Sequence, residues 1–222
     1  MLKILTISLL LCPWSISFGA GQLLVAPAST TITFPNERNI TVKNTGDAPM
    51  YINISLHKIE NPGVTPEKKI PISALADPMI IASPTKVSLG AGQSRSIKLT
   101  ALKAPLKEQA YRLYVIPVSS FSVTDSDADK RISAPTVVSV GYGVLVRALP
   151  SGSLTSELVY ECQSEGIRLS NTGNSRADLS NISFGVGKML DRIGIYPSTP
   201  VIIPHKSLTA KFKGEDYSIS CK

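Results

Sequence analysis

The stretch VSVGYGVLVRALP, Val138 to Pro150, places a valine or Tyr142 at every second position from Val138 through Val146. A period of two marks a β-strand with one apolar face. No charged residue occurs from Ser133 through Val146, although edge strands ordinarily carry charges that discourage pairing. The segment between Pro117 and Val137 is about 20 residues long, more than an ordinary hairpin loop needs. It contains Phe121 and Val123, so the strands on either side can extend beyond a sandwich body. Such a strand can face its own core or offer its apolar side to another molecule, and its periodicity alone leaves both readings standing.

The rest of the chain carries the same signal in shorter pieces: β-branched runs bounded by Pro, Gly, Asn or Asp. Leu23 to Val25 and Thr30 to Phe34, split by Pro27, read as one kinked edge strand. Asn39 to Lys43, Tyr51 to His57, Met79 to Ala82, Lys86 to Leu89, Ser94 to Leu99 and Tyr111 to Val118 follow, then the opening run. After Pro150-Ser151-Gly152 the pattern restarts with Leu154 to Tyr160 and Gly166 to Ser170, and it continues to Tyr217–Ser220. Asn44-Thr45-Gly46 and Asn171-Thr172-Gly173 repeat one turn signal on either side of that break. No helical period is sustained anywhere. Short strands at intervals of about 8 to 12 residues predict an all-β chain of two tandem immunoglobulin-like β-sandwich domains. The expected divisions are 1–20, 21–149 and 150–222.

The first division reads as a secretory signal. Lys3 leads into an apolar run closed by small residues, with cleavage after Gly19 or Ala20. The run is short for a membrane span, and no later stretch approaches one, so membrane insertion is not expected. Removing it leaves Cys162 and Cys221, an even pair that in an oxidising compartment reads as one disulfide. A metal site is the alternative, though two thiols without neighbouring imidazoles form a poor ligand set. The net charge of +7 is scattered along the chain. It argues for mild steering toward acidic partners rather than for nucleic acid.

No constellation for catalysis appears. The two histidines, His57 and His205, fall in different predicted domains, and no nucleophile elbow, phosphate loop or zinc motif is present. Asp125 to Lys130 opens like a calcium loop, but Lys130 stands where glycine is required and Thr136 where glutamate is. The chain therefore reads as a binding protein, with no cofactor, metal or catalytic residue expected.

The stretches HKIENPG (57–63), SPTKVSLGAGQSRSIKLT (83–100), YRLYVIPV (111–118), GVLVRALP (143–150) and LSNTGNSRA (169–177) together resemble the periplasmic chaperones of chaperone–usher pilus assembly. The likeness is closest to the alternate branch that serves colonisation-factor-type fimbriae. The resemblance implies two sandwiches set at an angle in the periplasm. It implies a donor strand, the last of the first domain, lent to fimbrial subunits that lack a strand of their own. On this basis Val138, Val140, Tyr142 and Val144 face the subunit. The implied partners are major and minor fimbrial subunits and an outer-membrane usher, and two exposed donor edges could also cap each other in a dimer. The family's commoner branch holds the subunit's C-terminal carboxylate with an Arg on the first strand and a Lys late in the donor strand. Here the first strand has no basic residue and the late position is Leu145, so Arg112 and Arg147 are the expected substitutes, with Lys98 third. The competing reading is a secreted immunoglobulin-like fimbrial subunit or adhesin. GQLLVAP (21–27) is too short for the donor extension such a protein would need.

Overall fold

The computed structural model describes residues 22–118, 140–185 and 189–222. The expected signal segment, the Asp125–Lys130 loop and Val138 lie outside these residues. The described residues form strands β1 (Leu23–Ala26), β2 (Ser29–Thr33), β3 (Glu37–Asn44), β4 (Met50–Ile59), β5 (Lys69–Pro71), β6 (Ile80–Ser83), β7 (Lys86–Leu89), β8 (Ser94–Ala101), β9 (Gln109–Val118) and β10 (Tyr142–Leu149). They continue with β11 (Leu158–Gln163), β12 (Gly166–Asn171), β13 (Ala177–Ser183), β14 (Met189–Ile195), β15 (Val201–Ile203), β16 (Ser207–Phe212) and β17 (Glu215–Ser220). One 3₁₀ turn, Ile72–Ala74, interrupts them.

The first ten strands make a sandwich of two sheets, ordered β1-β3-β8-β6 and β2-β10-β9-β4-β5, with β7 also paired to β4. Alternation in the sequence sets which side chains meet between the sheets. Ile40 and Val42 of β3 and Ile97 and Leu99 of β8 point inward from one sheet. Ile52, Ile54, Leu113, Val115, Val144 and Val146 point inward from the other. Each is less than 4% exposed, and full burial of such a side chain is worth about 1.5–3 kcal/mol.

The second sandwich stacks β11-β12-β15 on β14-β13-β16-β17. Its core is a separate cluster that includes Ile167, Leu169, Leu179, Ile195 and Leu208. Cys162 and Cys221 are joined, with their Cα atoms 5.7 Å apart, so the end of the chain is tied to β11. The repeated Asn-Thr-Gly turns perform one task in both sandwiches. The Asn44 side chain is buried, accepts the Gly46 amide at 3.0 Å and donates to the Ala48 carbonyl at 2.7 Å. Asn171 is buried too, accepts the Gly173 amide at 3.0 Å and donates to the Ser175 and Ile195 carbonyls at 2.8 and 2.9 Å.

One expectation is corrected. Leu23 to Phe34 is not a single kinked edge strand but two strands in different sheets. β1 runs antiparallel to β3, and after Pro27 the chain crosses over so that β2 runs parallel to β10. Proline has no amide hydrogen to continue the first ladder, while the Ala28 carbonyl accepts the Leu145 amide at 3.1 Å and opens the second.

Candidate functional site: the open edge of β10 and the interdomain cleft

β10 is covered unequally. On one side it pairs antiparallel with β9 along the whole run from Tyr142 opposite Val115 to Ala148 opposite Gln109. On the other side β2 covers it only from Leu145 to Leu149. Backbone groups alternate in direction along a strand, so Gly143 presents its N–H and C=O on the edge where Leu145 meets β2. Among the described residues no strand pairs with that edge over Tyr142–Val144. It is a short edge onto which a strand could be added.

The side chains divide at the same place. Val144, Val146 and Ala148 are 2%, 0% and 3% exposed and belong to the domain's own core. Tyr142 and Val140 continue the same row past the end of the sandwich, at 38% and 68% exposed. Val144, expected in the donor set, is thus packed within the core of its own domain. On the opposite face, a Cβ on Gly141 would lie 3.0 Å from Ile116 Cγ1 and one on Gly143 would lie 3.0 Å from Arg112 Cδ. The two glycines let the β9 side chains of Ile116 and Arg112 lie close across β10.

Toward its other end β10 enters the junction of the two sandwiches. Ile59, Ala110 and Tyr196 form a buried cluster there, with Leu145 packed against it. Gly63, at φ +86°, lies against the second sandwich so closely that a Cβ would come 2.9 Å from the Gly194 carbonyl oxygen. The Glu108 side chain, fully buried, accepts Arg147 Nε at 2.5 Å, an Arg147 Nη at 2.9 Å and the backbone amide of Arg176 at 2.7 Å. The Glu108 amide donates in turn to the Asn174 carbonyl at 2.8 Å. One carboxylate, just before β9, thus ties β10 of the first sandwich to the second.

Beside this junction lies a cleft of about 340 Å³ whose lining includes Arg112, Arg176 and Arg192, with Glu67 the carboxylate on its wall. Arg112 sits opposite Leu145 across the β9–β10 ladder. Its guanidinium forks onto the Glu67 carboxylate, and Nη1 reaches the Gly143 carbonyl at 3.2 Å. Arg176 lies over the Tyr196 ring at 5.6 Å and bonds Asp178 at 3.0 Å. Its Nε is buried with no hydrogen-bond partner among the described residues. Burial opposes the Arg176 charge, but the bonds to Tyr196 and Asp178 outweigh it and hold the guanidinium's pKa above its ordinary value.

Arg112 and Arg147 are thus both brought to the junction, each paired with a carboxylate, Arg112 with Glu67 and Arg147 with the enclosed Glu108. Lys98 lies on β8 in the other sheet, paired with Glu37 at 2.9 Å. Arg176 was missed as a site residue although it lies within the LSNTGNSRA stretch; a lone arginine after a turn gives no signal of the cleft it enters. Among the described residues, no group of three or more His, Cys, Asp or Glu side chains could hold a metal ion. His57 stands edge-on to Tyr114 and His205 stacks on Phe184, in different sandwiches.

No protein-family profile matches the chain. It is 32% identical over 185 residues to the CFA/I fimbrial subunit of Escherichia coli lettered A, covering 83% of this chain and 76% of that one. The crystal structure of the class 5 fimbriae chaperone CfaA superposes with a TM-score of 0.67 at 26% identity, over 90% of this chain and 100% of that one. A chain of a chaperone–tip adhesin complex of CFA/I fimbriae biogenesis gives a TM-score of 0.69 at 25% identity, over 90% and 98% of the two chains. With two sandwiches, a half-covered last strand in the first and a basic cleft between them, the chain belongs to the colonisation-factor branch of the chaperone–usher pilus-assembly chaperones.

Proposed function

We propose that this chaperone holds fimbrial subunits by lending them β10, with Val140 and Tyr142 filling the subunit's open core and Val138 extending the row. The observation that carries this reading is the uncovered edge at Tyr142–Val144, with the exposed Tyr142 and Val140 continuing the domain's own core row. Backbone groups on the edge supply affinity for any extended segment, and the alternating side chains select one with a matching groove. Burying the two or three side chains contributes roughly 3–9 kcal/mol gross, and much of it is offset by the ordering costs of association. The strand therefore holds its client while remaining replaceable by a better-fitting one.

A guest strand running alongside β10 meets β2 at Leu145 and must end there, beside Arg112. Its terminal carboxylate suits the planar fork of a guanidinium. Arg112 and Arg176 are guanidinium groups that line the cleft beside Leu145 on this side. The part of Arg147 is to hold Glu108 and so the junction. The remainder of the reading is a signal over 1–20, domains over 21–149 and 150–222, work in the periplasm on major and minor subunits, delivery to an outer-membrane usher and self-capping of free copies.

Co-expression tests it. The wild-type chain should retain a fimbrial subunit in a one-to-one complex from the periplasmic fraction, and Tyr142→Asp should abolish that complex while leaving the free chaperone folded. Wild-type levels of the complex with Tyr142→Asp would overturn the reading.

A further inference from the structure

The loop between β4 and β5, Glu60 to Lys68, reads ENPGVTPEK and carries a carboxylate seven residues from its start. The loop has a fixed shape. Asn61 donates through Nδ2 to the Pro66 carbonyl at 2.9 Å and accepts the Lys68 amide at 2.5 Å, and the Glu60 amide donates to the Lys68 carbonyl at 2.9 Å. Its turn residue, Gly63, is seated against Gly194 and Tyr196 of the second sandwich. A loop stapled within itself and docked at its tip presents Glu67 at a set position on the cleft wall. There the Glu67 carboxylate takes the Nε and Nη2 fork of Arg112, while Lys69 Nζ stands 4.0 Å from its second oxygen. The third nitrogen of Arg112 reaches the carbonyl of Gly143, two residues before the β2 ladder begins at Leu145.

We propose that Glu67 is a placeholder carboxylate: in the free chaperone it occupies the guanidinium fork that the terminal carboxylate of a bound subunit takes over. The inference rests on the carboxylate-anchoring reading given above. Three features carry it. The ligand Glu67 offers is the same functional group as a chain terminus, on the bidentate face of Arg112. The pair is only partly buried, with 23% and 27% of the two side chains exposed, so exchanging one carboxylate for another leaves no charge stranded. The same arginine caps Gly143 on the edge where a guest strand pairs, so Glu67 holds Arg112 as a cover over that edge until a guest arrives. Glu67 acts through Arg112 and is a positioning residue.

The test uses the full chaperone, the fimbrial subunit that co-purifies with the wild-type chain, and the same subunit with a C-terminal hexahistidine extension that moves its carboxylate away. Denatured client is diluted into chaperone, and the capture rate and complex yield are followed. With the native client, E67Q should show capture about fivefold faster, the equivalent of one partly exposed ion pair. It should give no gain with the extended client, and its melting temperature should fall by no more than the roughly 2–4 °C that the loss of one such pair gives a chain of this size. E67D, which withdraws the carboxylate by one methylene, gives a second reading of the same effect. An unchanged or slower E67Q, or an equal gain with both clients, overturns the placeholder while leaving the anchor standing. If the extension costs nothing with either chaperone, the anchor itself is wrong and the placeholder falls with it. If no client co-purifies at all, the chaperone reading beneath both fails.

Discussion

Glu108 and Arg147 lie 39 residues apart in sequence and form a bidentate ion pair whose carboxylate is completely enclosed. The same carboxylate accepts the Arg176 amide of the other sandwich. Removing one partner of a buried pair leaves an uncompensated charge at a cost of about 3–5 kcal/mol. Arg147→Ala should therefore lower stability in urea unfolding by that order, before any client is present. Adding Glu108→Gln, which keeps an acceptor for the Arg176 amide, should recover part of the loss. An Arg147→Ala chain with wild-type stability and impaired capture would return Arg147 to direct contact with the client.

The two halves of β10 should respond in opposite ways. Val140→Asp and Tyr142→Asp alter exposed side chains, so the melting temperature should stay within about 2 °C of wild type while client capture is lost. Val144→Ala empties a core position that is 2% exposed and should cost about 2 kcal/mol of stability, with capture reduced only as far as folding is. Melting curves and co-purification on the same samples separate the two.

The bond between Cys162 and Cys221 spans a sequence separation of 59. In the chain-entropy account a loop of that size contributes about 4 kcal/mol. The Cys162→Ser, Cys221→Ser double variant should lose stability of that order in the second sandwich alone. Hydrogen exchange should show faster opening at Ile167 and Leu208, with Leu113 and Ile97 unchanged.

Tyr111 carries a pH signature. It is 1% exposed, donates to Gln109 at 2.7 Å, and burial pushes its hydroxyl pKa up to about 12. The ordinary value is about 10, so folding favours the neutral form. That contribution is complete below about pH 10 and is lost as pH rises toward about 12, up to roughly 2–3 kcal/mol. Stability measured by urea unfolding across this window should fall more steeply for wild type than for Tyr111→Phe. Parallel profiles would remove Tyr111 as the cause.

The fold was legible because a period of two is written into nearly every strand, and the Asn-Thr-Gly turns mark equivalent strand ends in both sandwiches. The crossing at Pro27 was not, since a proline breaks a ladder without saying which sheet receives the next strand. In β10 the apolar row was plain, yet alternation runs unchanged from Val140 to Val146. Where the domain's own core stops and the offered surface begins depends on where β2 begins, and β2 lies over 100 residues upstream. Register reasoning along β9 and β10 brought Arg112 and Arg147 to the junction. Their carboxylates, Glu67 and Glu108, come from another loop and from the residue just before β9, and no local pattern pairs them.

The parallel ladder of β2 on β10 also acts as a ruler. Because the edge closes at Leu145, a strand added there is measured from its last residue backward, whatever its length. On the proposed reading, every client is docked by features common to all chains, a main-chain ladder and a free terminus, at one fixed stop. Clients with quite different sequences can then be held in the same phase, each presenting the same stretch of its unfilled groove to whatever strand comes next.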